Sequence, residues 1–228
     1  MIKIIWSPEQ DQFPELWLRI ALTAYTRAMT IDTNLLLQWG GSFKEVQRDE
    51  IIFMEGMQAS FYYQVVSGKV RWVSVSDEGK EFIQLMAEEG ESFGELPLLD
   101  DGPYAATAIA DENTTLIRLH KSHFLDLLRK NPEVHFAFSR LLSQRIRLKF
   151  LLLKEMAMRS PEHTITALLR YFKENNKHTC PDCSRVNLTR QQIADMTGLR
   201  VETVIRAMRN LHSSGQLLIE KGKVYCSK

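Results

Sequence analysis

The chain lacks most of the features of a disulfide-braced, membrane-spanning or catalytic protein. It has three cysteines, Cys180, Cys183 and Cys226, and none in residues 1–42. A small, odd number of thiols argues against a disulfide framework. No apolar run approaches the roughly twenty residues of a membrane span. The N-terminal region has no uninterrupted apolar stretch ending in a small-residue cleavage site, so no membrane partner is expected and the expected location is the cytoplasm. No nucleophile elbow, P-loop or His-Glu-x-x-His pair occurs, and His120, His123, His135, His163 and His212 are scattered along the chain. Catalysis is therefore not expected, and no motif requires a cofactor.

What is present is a division of charge and of pattern. Residues 1–130 hold 12 Lys and Arg against 20 Asp and Glu, whereas residues 131–228 hold 17 against 8. A basic C-terminal half beside an acidic N-terminal half fits a phosphate-binding module joined to a domain with another task. From Phe43 to about Leu119, short runs rich in Val, Ile, Phe and Tyr are separated by turns at Gly56, Gly68, Gly79, Gly90 and Gly94. Residues 62–66, 69–75 and 81–86 have strand length, and the even spacing of turns predicts a jelly roll or barrel rather than βαβ units.

From Lys121 the pattern is helical. A short helix over 123–129 is followed, after Asn131-Pro132, by a stretch from Glu133 to about Arg159 with no Gly or Pro. Val134, Phe138, Leu141, Arg145, Leu148 and Leu152 fall alternately four and three residues apart, a stripe suited to pairing two parallel helices, although Arg145 interrupts it. Apolar residues also crowd other faces at Ile146, Phe150, Leu151 and Leu153, more than one partner surface should need. A homodimer is predicted; the alternative is a single core helix packed on the roll. Residues 14–29 also read as helical.

The last forty residues carry the chemistry. Thr189-Arg190-Gln191-Gln192 has the form of a capping box and opens a short amphipathic helix through Ile193 and Met196. Gly198 permits a sharp turn, and Val204, Met208 and Leu211 then recur at helical spacing, predicting a second helix over 201–213. Its other face carries Arg200, Glu202, Arg206 and Arg209, the outward charged groups of a recognition helix laid in a major groove. A solvated charged face would look similar. Residues 215–225 read as two short strands around Lys221-Gly222-Lys223, the wing of a winged helix. Double-stranded DNA is the expected partner, with Arg190, Gln191, Arg209 and Lys221 as phosphate contacts; a winged helix that contacts protein is the reading from another class.

Cys180-Pro181-Asp182-Cys183 can share one zinc ion or form a redox pair. Antiparallel pairing of residues 185–188 with the last wing strand would bring Cys226 near Cys183, giving a Cys₃His set of His178, Cys180, Cys183 and Cys226. The alternative is that Pro181-Asp182 is the tight turn of a hairpin.

The order of acidic roll, long helix and winged helix resembles the Crp/Fnr family of bacterial transcription factors over residues 30 to 228. The resemblance rests on Glu55-Gly56, Ser67-Gly68-Lys69-Val70, Asp77 to Glu81, the cassette Gly90 to Gly102, and the stretch from Leu188 to Arg206. It implies an α+β fold: residues 1–130 as a cyclic-nucleotide-binding-like effector domain with N-terminal helices, 131–160 as dimerisation helix and linker, and 161–228 as winged helix-turn-helix. It also implies RNA polymerase as a partner if the protein is an activator. Cyclic-nucleotide readers of the family end the cassette with an Arg for the cyclic phosphate, where this chain has Ala105 and Ala106. A buried phosphate without such a cation costs several kcal/mol, so the roll is expected to bind a different, less anionic effector, to bind nothing, or to act as a scaffold for a partner. The effector pocket is expected at Gly94, Glu95, Leu96, Ala105 and Ala106, with Lys149 as a replacement cation from the helix side. In the recognition helix, Val201 stands where a relative has Arg, while Glu202 and Arg206 match. Val before Glu resembles the anaerobic-regulator branch, implying a palindrome with TTGA-like arms.

Overall fold

The computed structural model describes residues 31–158, 160–175 and 177–226; the expected helix over 14–29 lies outside them. The helix α1 (Thr33–Gln38) is capped by the Asp32 carboxylate, which accepts from the Leu35 amide at 3.0 Å. It leads into β1 (Ser42–Val46), β2 (Ile51–Phe53), β3 (Phe61–Ser67), β4 (Val70–Val75), β5 (Glu81–Ala87) and β6 (Ser92–Phe93). After the short α2 (Leu96–Asp100) come β7 (Thr107–Ala110) and β8 (Thr114–His120). These strands form two four-stranded antiparallel sheets, ordered β1-β8-β3-β6 and β2-β7-β4-β5. Alternate residues of both sheets, among them Val46, Phe53, Val65, Trp72, Phe93 and Leu116, close a core between them, the arrangement that period-2 patterning requires.

Next come α3 (Lys121–Lys130) and the continuous 27-residue α4 (Pro132–Met158). Asn131 separates them, its side-chain amide donating to the Leu127 carbonyl at 2.8 Å. Pro132 opens α4 at the position where a missing N–H costs nothing. The stripe predicted to pair with a second helix has a different partner over its first half. Phe138 and Leu141 are buried in a cluster with Tyr62, Leu98 and Phe124, where Tyr62 stacks on Phe124 at 4.5 Å and Phe138 meets Phe124 edge-on at 5.5 Å. Heptad-like spacing reports a buried stripe and not what covers it, and the protein's own roll covers this one. A second stripe stays open: Phe136, Ile146, Phe150 and Leu153 are 67, 54, 67 and 60 % exposed.

The C-terminal part comprises α5 (Pro161–Glu174), a tight hairpin at residues 179–186, α6 (Arg190–Thr197), α7 (Val201–Ser213) and the antiparallel pair β9 (Leu217–Glu220) and β10 (Lys223–Cys226). The expected pairing of residues 185–188 with the last wing strand is present: Val186 N donates to Val224 O at 2.9 Å and Cys226 N to Ser184 O at 3.0 Å. This part does not stand off from the roll. Val73, Ile83 and Met86 of β4 and β5 share one buried cluster with Ile165, Phe172, Ile193, Met196, Val204 and Met208. Among the described residues no helix is long and apolar enough to cross a membrane.

Candidate nucleic-acid interface and effector site

The start of α6 is held by a reciprocal cap. Gln192 N donates to Thr189 Oγ1 at 3.1 Å, and Thr189 N donates to Gln192 Oε1 at 2.9 Å, which satisfies two of the orphan amides of the first turn. Gly198 ends α6 in the left-handed region at φ +69, a conformation costly for a residue with a Cβ, and sets the angle between α6 and α7. In α7, Val204, Ala207, Met208 and Leu211 are buried, while Glu202, Arg206 and Arg209 are exposed together with the preceding Arg200. Val201 and Ile205 are half-buried at the border. The N-cap residue Arg200 makes no side-chain cap to α7, and Glu202 lies in the first turn, where the helix dipole favours negative charge.

The phosphate-contact candidates divide. Lys221 is exposed at the tip of the β9–β10 turn and Arg209 on α7. Arg190 Nη2 donates to Gly222 O at 3.1 Å, tying the start of α6 to the wing tip. Gln191 donates to the buried Asp195 carboxylate at 2.8 Å. These two position the module as well as lining its surface. The sequence did not expose the support beneath it: Lys80, in the β4–β5 turn, donates to Gly198 O at 3.3 Å, and Gln192 Nε2 reaches Asp111 Oδ2 at 3.4 Å. A second set of ionic contacts lies nearby. Glu88 Oε1 is 3.0 Å from His178 Nδ1 and 3.1 Å from Lys69 Nζ, and the buried Glu91 pairs with Lys177. The hydrogen bond from His178 is the main reason that the Glu88 carboxyl falls to about 2.

In the roll, the cassette turns at Gly94, where φ is +71 and an added Cβ would lie 2.7 Å from the Phe53 ring; only glycine fits this approach. Glu95 follows, fully buried. Arg145 of α4 donates to its carboxylate and, through Nη2, to Ser92 O at 2.7 Å. The second carboxylate oxygen, Oε2, has no hydrogen-bond partner among the described residues. Near Ser92 and Arg145 lies Tyr62, whose hydroxyl donates to Gln64 Oε1 at 2.8 Å and whose pKa burial raises, and against Gly94 Phe53 stacks on Tyr104 at 3.7 Å. Leu96 and Ala105 are exposed, whereas Ala106 is buried with its carbonyl accepting from Trp72 Nε1 at 2.8 Å.

The expected replacement cation has partners of its own in the roll. Lys149 Nζ donates to Gln84 O at 2.6 Å and to Gln84 Oε1 at 3.0 Å, with its pKa lowered by burial and then by Arg145. The cation that pairs with Glu95 is Arg145, read from the sequence only as a break in an apolar stripe. That break was the available signal, because a lone guanidinium in a buried stripe needs an acidic partner.

The four-residue metal set is not assembled. His178 turns to Glu88 in the roll; Cys226 is half-buried against the C-terminal core, where burial pushes its thiol pKa up. Only Cys180 and Cys183 share a turn. Among the described residues no three His, Cys, Asp or Glu side chains are grouped to hold a metal ion.

Comparison with known proteins agrees with both halves. Residues 43–131 match the cyclic nucleotide-binding domain family and residues 162–226 the Crp-like helix-turn-helix domain. The chain is 30% identical over 174 residues to the cyclic AMP receptor protein of Thermus thermophilus, covering 76% of this chain and 78% of that one. It is 28% identical over 175 residues to the cAMP-activated global transcriptional regulator CRP of Haemophilus influenzae, covering 73% and 78%. The FixK2 structure from Bradyrhizobium japonicum shares the fold with a TM-score of 0.69 at 22% identity, over 82% of this chain and 93% of that one.

Proposed function

Because the chain belongs to the Crp/Fnr family of DNA-binding transcriptional regulators, we propose that it acts as a homodimer on a palindromic, TTGA-armed site and is not switched by cyclic AMP in the usual way. The observation that carries the reading is the exposed row Arg200, Glu202, Arg206 and Arg209 on a helix whose other face is fully packed. In a groove, Arg206 would read a guanine and Glu202 would accept from a cytosine or adenine amino group, each contact giving about 1–3 kcal/mol of discrimination. Arg190, Arg209 and Lys221 would neutralise phosphates, with Thr189 and Gln191 at the same helix entrance.

The open stripe of Phe136, Ile146, Phe150 and Leu153 supports pairing of two α4 helices. Two-fold pairing would set the recognition helices about one helical turn, roughly 34 Å, apart. Against control by cyclic AMP stand Ala105 in place of a guanidinium, the buried Glu95 already paired with Arg145, and the Phe53–Tyr104 stack beside the cassette. An effector that displaced Arg145 from Glu95 would act directly on α4, shifting the population of dimer states by its differential affinity for them. As an activator the protein would also contact RNA polymerase.

The test is fluorescence anisotropy of the purified protein on a TTGA-armed duplex and a scrambled control, each with and without cyclic AMP. The reading requires specific binding without nucleotide, unchanged by its addition. Binding that appears only with nucleotide would overturn the effector part, and equal affinity for both duplexes would overturn the site.

A further inference from the structure

The Cys180–Cys183 turn has no part in DNA reading or in the effector pocket, yet it is built in a specific way. Ser184 N donates to Cys180 O at 2.8 Å, and Ser184 closes the turn in the left-handed region at φ +55. Residues 180–184 therefore form one isolated helical turn. In such a turn, side chains three positions apart lie on the same face with Cβ atoms about 5–6 Å apart. A disulfide needs about 3.5–4.5 Å, a closure of roughly 1–2 Å that a short solvent-facing turn can absorb. Cys183 is exposed and Cys180 half-exposed, so reagents reach both sulfurs.

The two thiols also differ from the third. The Cys180 pKa is lowered, first by a hydrogen bond from the Cys183 thiol and then by the backbone amides of Cys183 and Asp182. The Cys226 pKa is raised by burial. Thiolate character, not thiol content, sets reactivity, so the turn holds one nucleophilic sulfur with a resolving sulfur beside it. A metal would need two further ligands, and His178 and Cys226 face elsewhere.

We propose that Cys180 and Cys183 form a reversible dithiol–disulfide site, oxidised by small-molecule disulfides, whose closure is transmitted to the wing. The Cys180 thiolate attacks one sulfur of the disulfide RSSR, forming Cys180–S–S–R and releasing RS⁻. The Cys183 thiolate then attacks the Cys180 sulfur, forming the intramolecular disulfide and releasing a second RS⁻. Two cysteine thiols are oxidised, RSSR is reduced to two RSH, and the protons lost by the cysteines end on the released thiolates. Transmission follows from the backbone: the turn is tied to β10 by Cys226 N donating to Ser184 O at 3.0 Å and Val186 N donating to Val224 O at 2.9 Å. A transient, sensing disulfide is the kind that a reducing compartment sustains.

The test treats the purified full-length protein with oxidised glutathione, quenches it with an alkylating agent, and reads peptide masses. Expected is the loss of two hydrogens across Cys180 and Cys183, reversed by reduced glutathione and unchanged in Cys226→Ser. In Cys183→Ser the reaction should stop at a stable glutathione adduct on Cys180, and in Cys180→Ser adduct formation should slow severalfold. Hydrogen exchange of residues 184–186 and 223–226 should slow in the oxidised form. A wild-type adduct that never resolves, a bridge through Cys226, or no reaction would overturn the site; unchanged exchange would overturn the transmission. None of these readouts depends on DNA binding.

Discussion

Arg145 reaches from the middle of α4 into the roll and holds the buried carboxylate of Glu95, while its second edge donates to Ser92 O at 2.7 Å. The contact joins the cassette to the helix whose open stripe faces a prospective partner, so it couples the two regions that a regulator must connect. Removing one partner leaves the other buried and uncompensated, which costs about 3–5 kcal/mol, whereas replacing both is much milder. Arg145→Met should therefore lower urea stability by several kcal/mol, and Glu95→Gln in the same background should restore much of it. The cycle is read from intrinsic tryptophan fluorescence, to which Trp72 in the roll core contributes. Additive losses would mean that the pair does not act as a unit.

The fold was legible where its determinants are local. Thr189 and Gln192 sit three residues apart and form the cap the sequence predicted; Gly198 marks the turn, and α7 runs over Val201–Ser213 as its apolar spacing required. What escaped depends on which surfaces meet. The stripe through Phe138 and Leu141 announced burial but not its cover, and Arg145 announced a partner but not Glu95, fifty positions away. The seating of α6 on β5, through Ile193, Met196, Ile83 and Met86, left no sequence mark, because an apolar contact between distant segments has no spacing to read.

The two stripes of α4 should respond oppositely to charge. Phe150→Glu places a carboxylate on the open face, where it is hydrated in the monomer and unfavourable only when a second helix covers it. Sedimentation velocity should show dimer shifting to monomer while the thermal midpoint of the roll barely moves. Leu141→Glu buries a carboxylate in the Tyr62–Phe124 cluster and should unfold the roll. A Phe150→Glu protein that remains fully dimeric would sink the pairing of α4 helices.

Sequence reading and phosphate neutralisation should separate by mutation. Arg206→Ala should weaken binding to the TTGA-armed duplex by about 1–3 kcal/mol while leaving the scrambled duplex nearly unchanged. Lys221→Ala should weaken both equally and reduce the slope of log affinity against log salt by about 1. Arg190→Ala should do the same and in addition loosen the wing, because it removes the hydrogen bond to Gly222 O. Anisotropy across a salt series distinguishes the three, and an Arg206→Ala variant with unchanged specificity would remove α7 from the reading role.

The contact of Glu88 with His178 and Lys69 makes the seating of the winged helix on the roll sensitive to acid. The Glu88 carboxyl falls from 4.5 to about 2 in the folded protein, mainly through the hydrogen bond from His178. A depressed carboxylate contributes stability that is complete above its unfolded pKa and is lost as pH falls through the folded one, so the window runs from about pH 4.5 down to about pH 2. Glu88 is 30% exposed on its side chain, and solvent screening reduces the contribution to roughly 1–2 kcal/mol. Facing it are Lys69 and His178, with the neighbouring Glu91 held by Lys177. Other carboxylates titrate in the same window, so the measurement is a difference: urea midpoints of wild type and Glu88→Gln from pH 6 to pH 3. The wild type should be more stable at pH 6, and the gap should narrow as pH falls below 4.5. A gap that stays constant across the series would mean that Glu88 ionisation does not hold the two parts together.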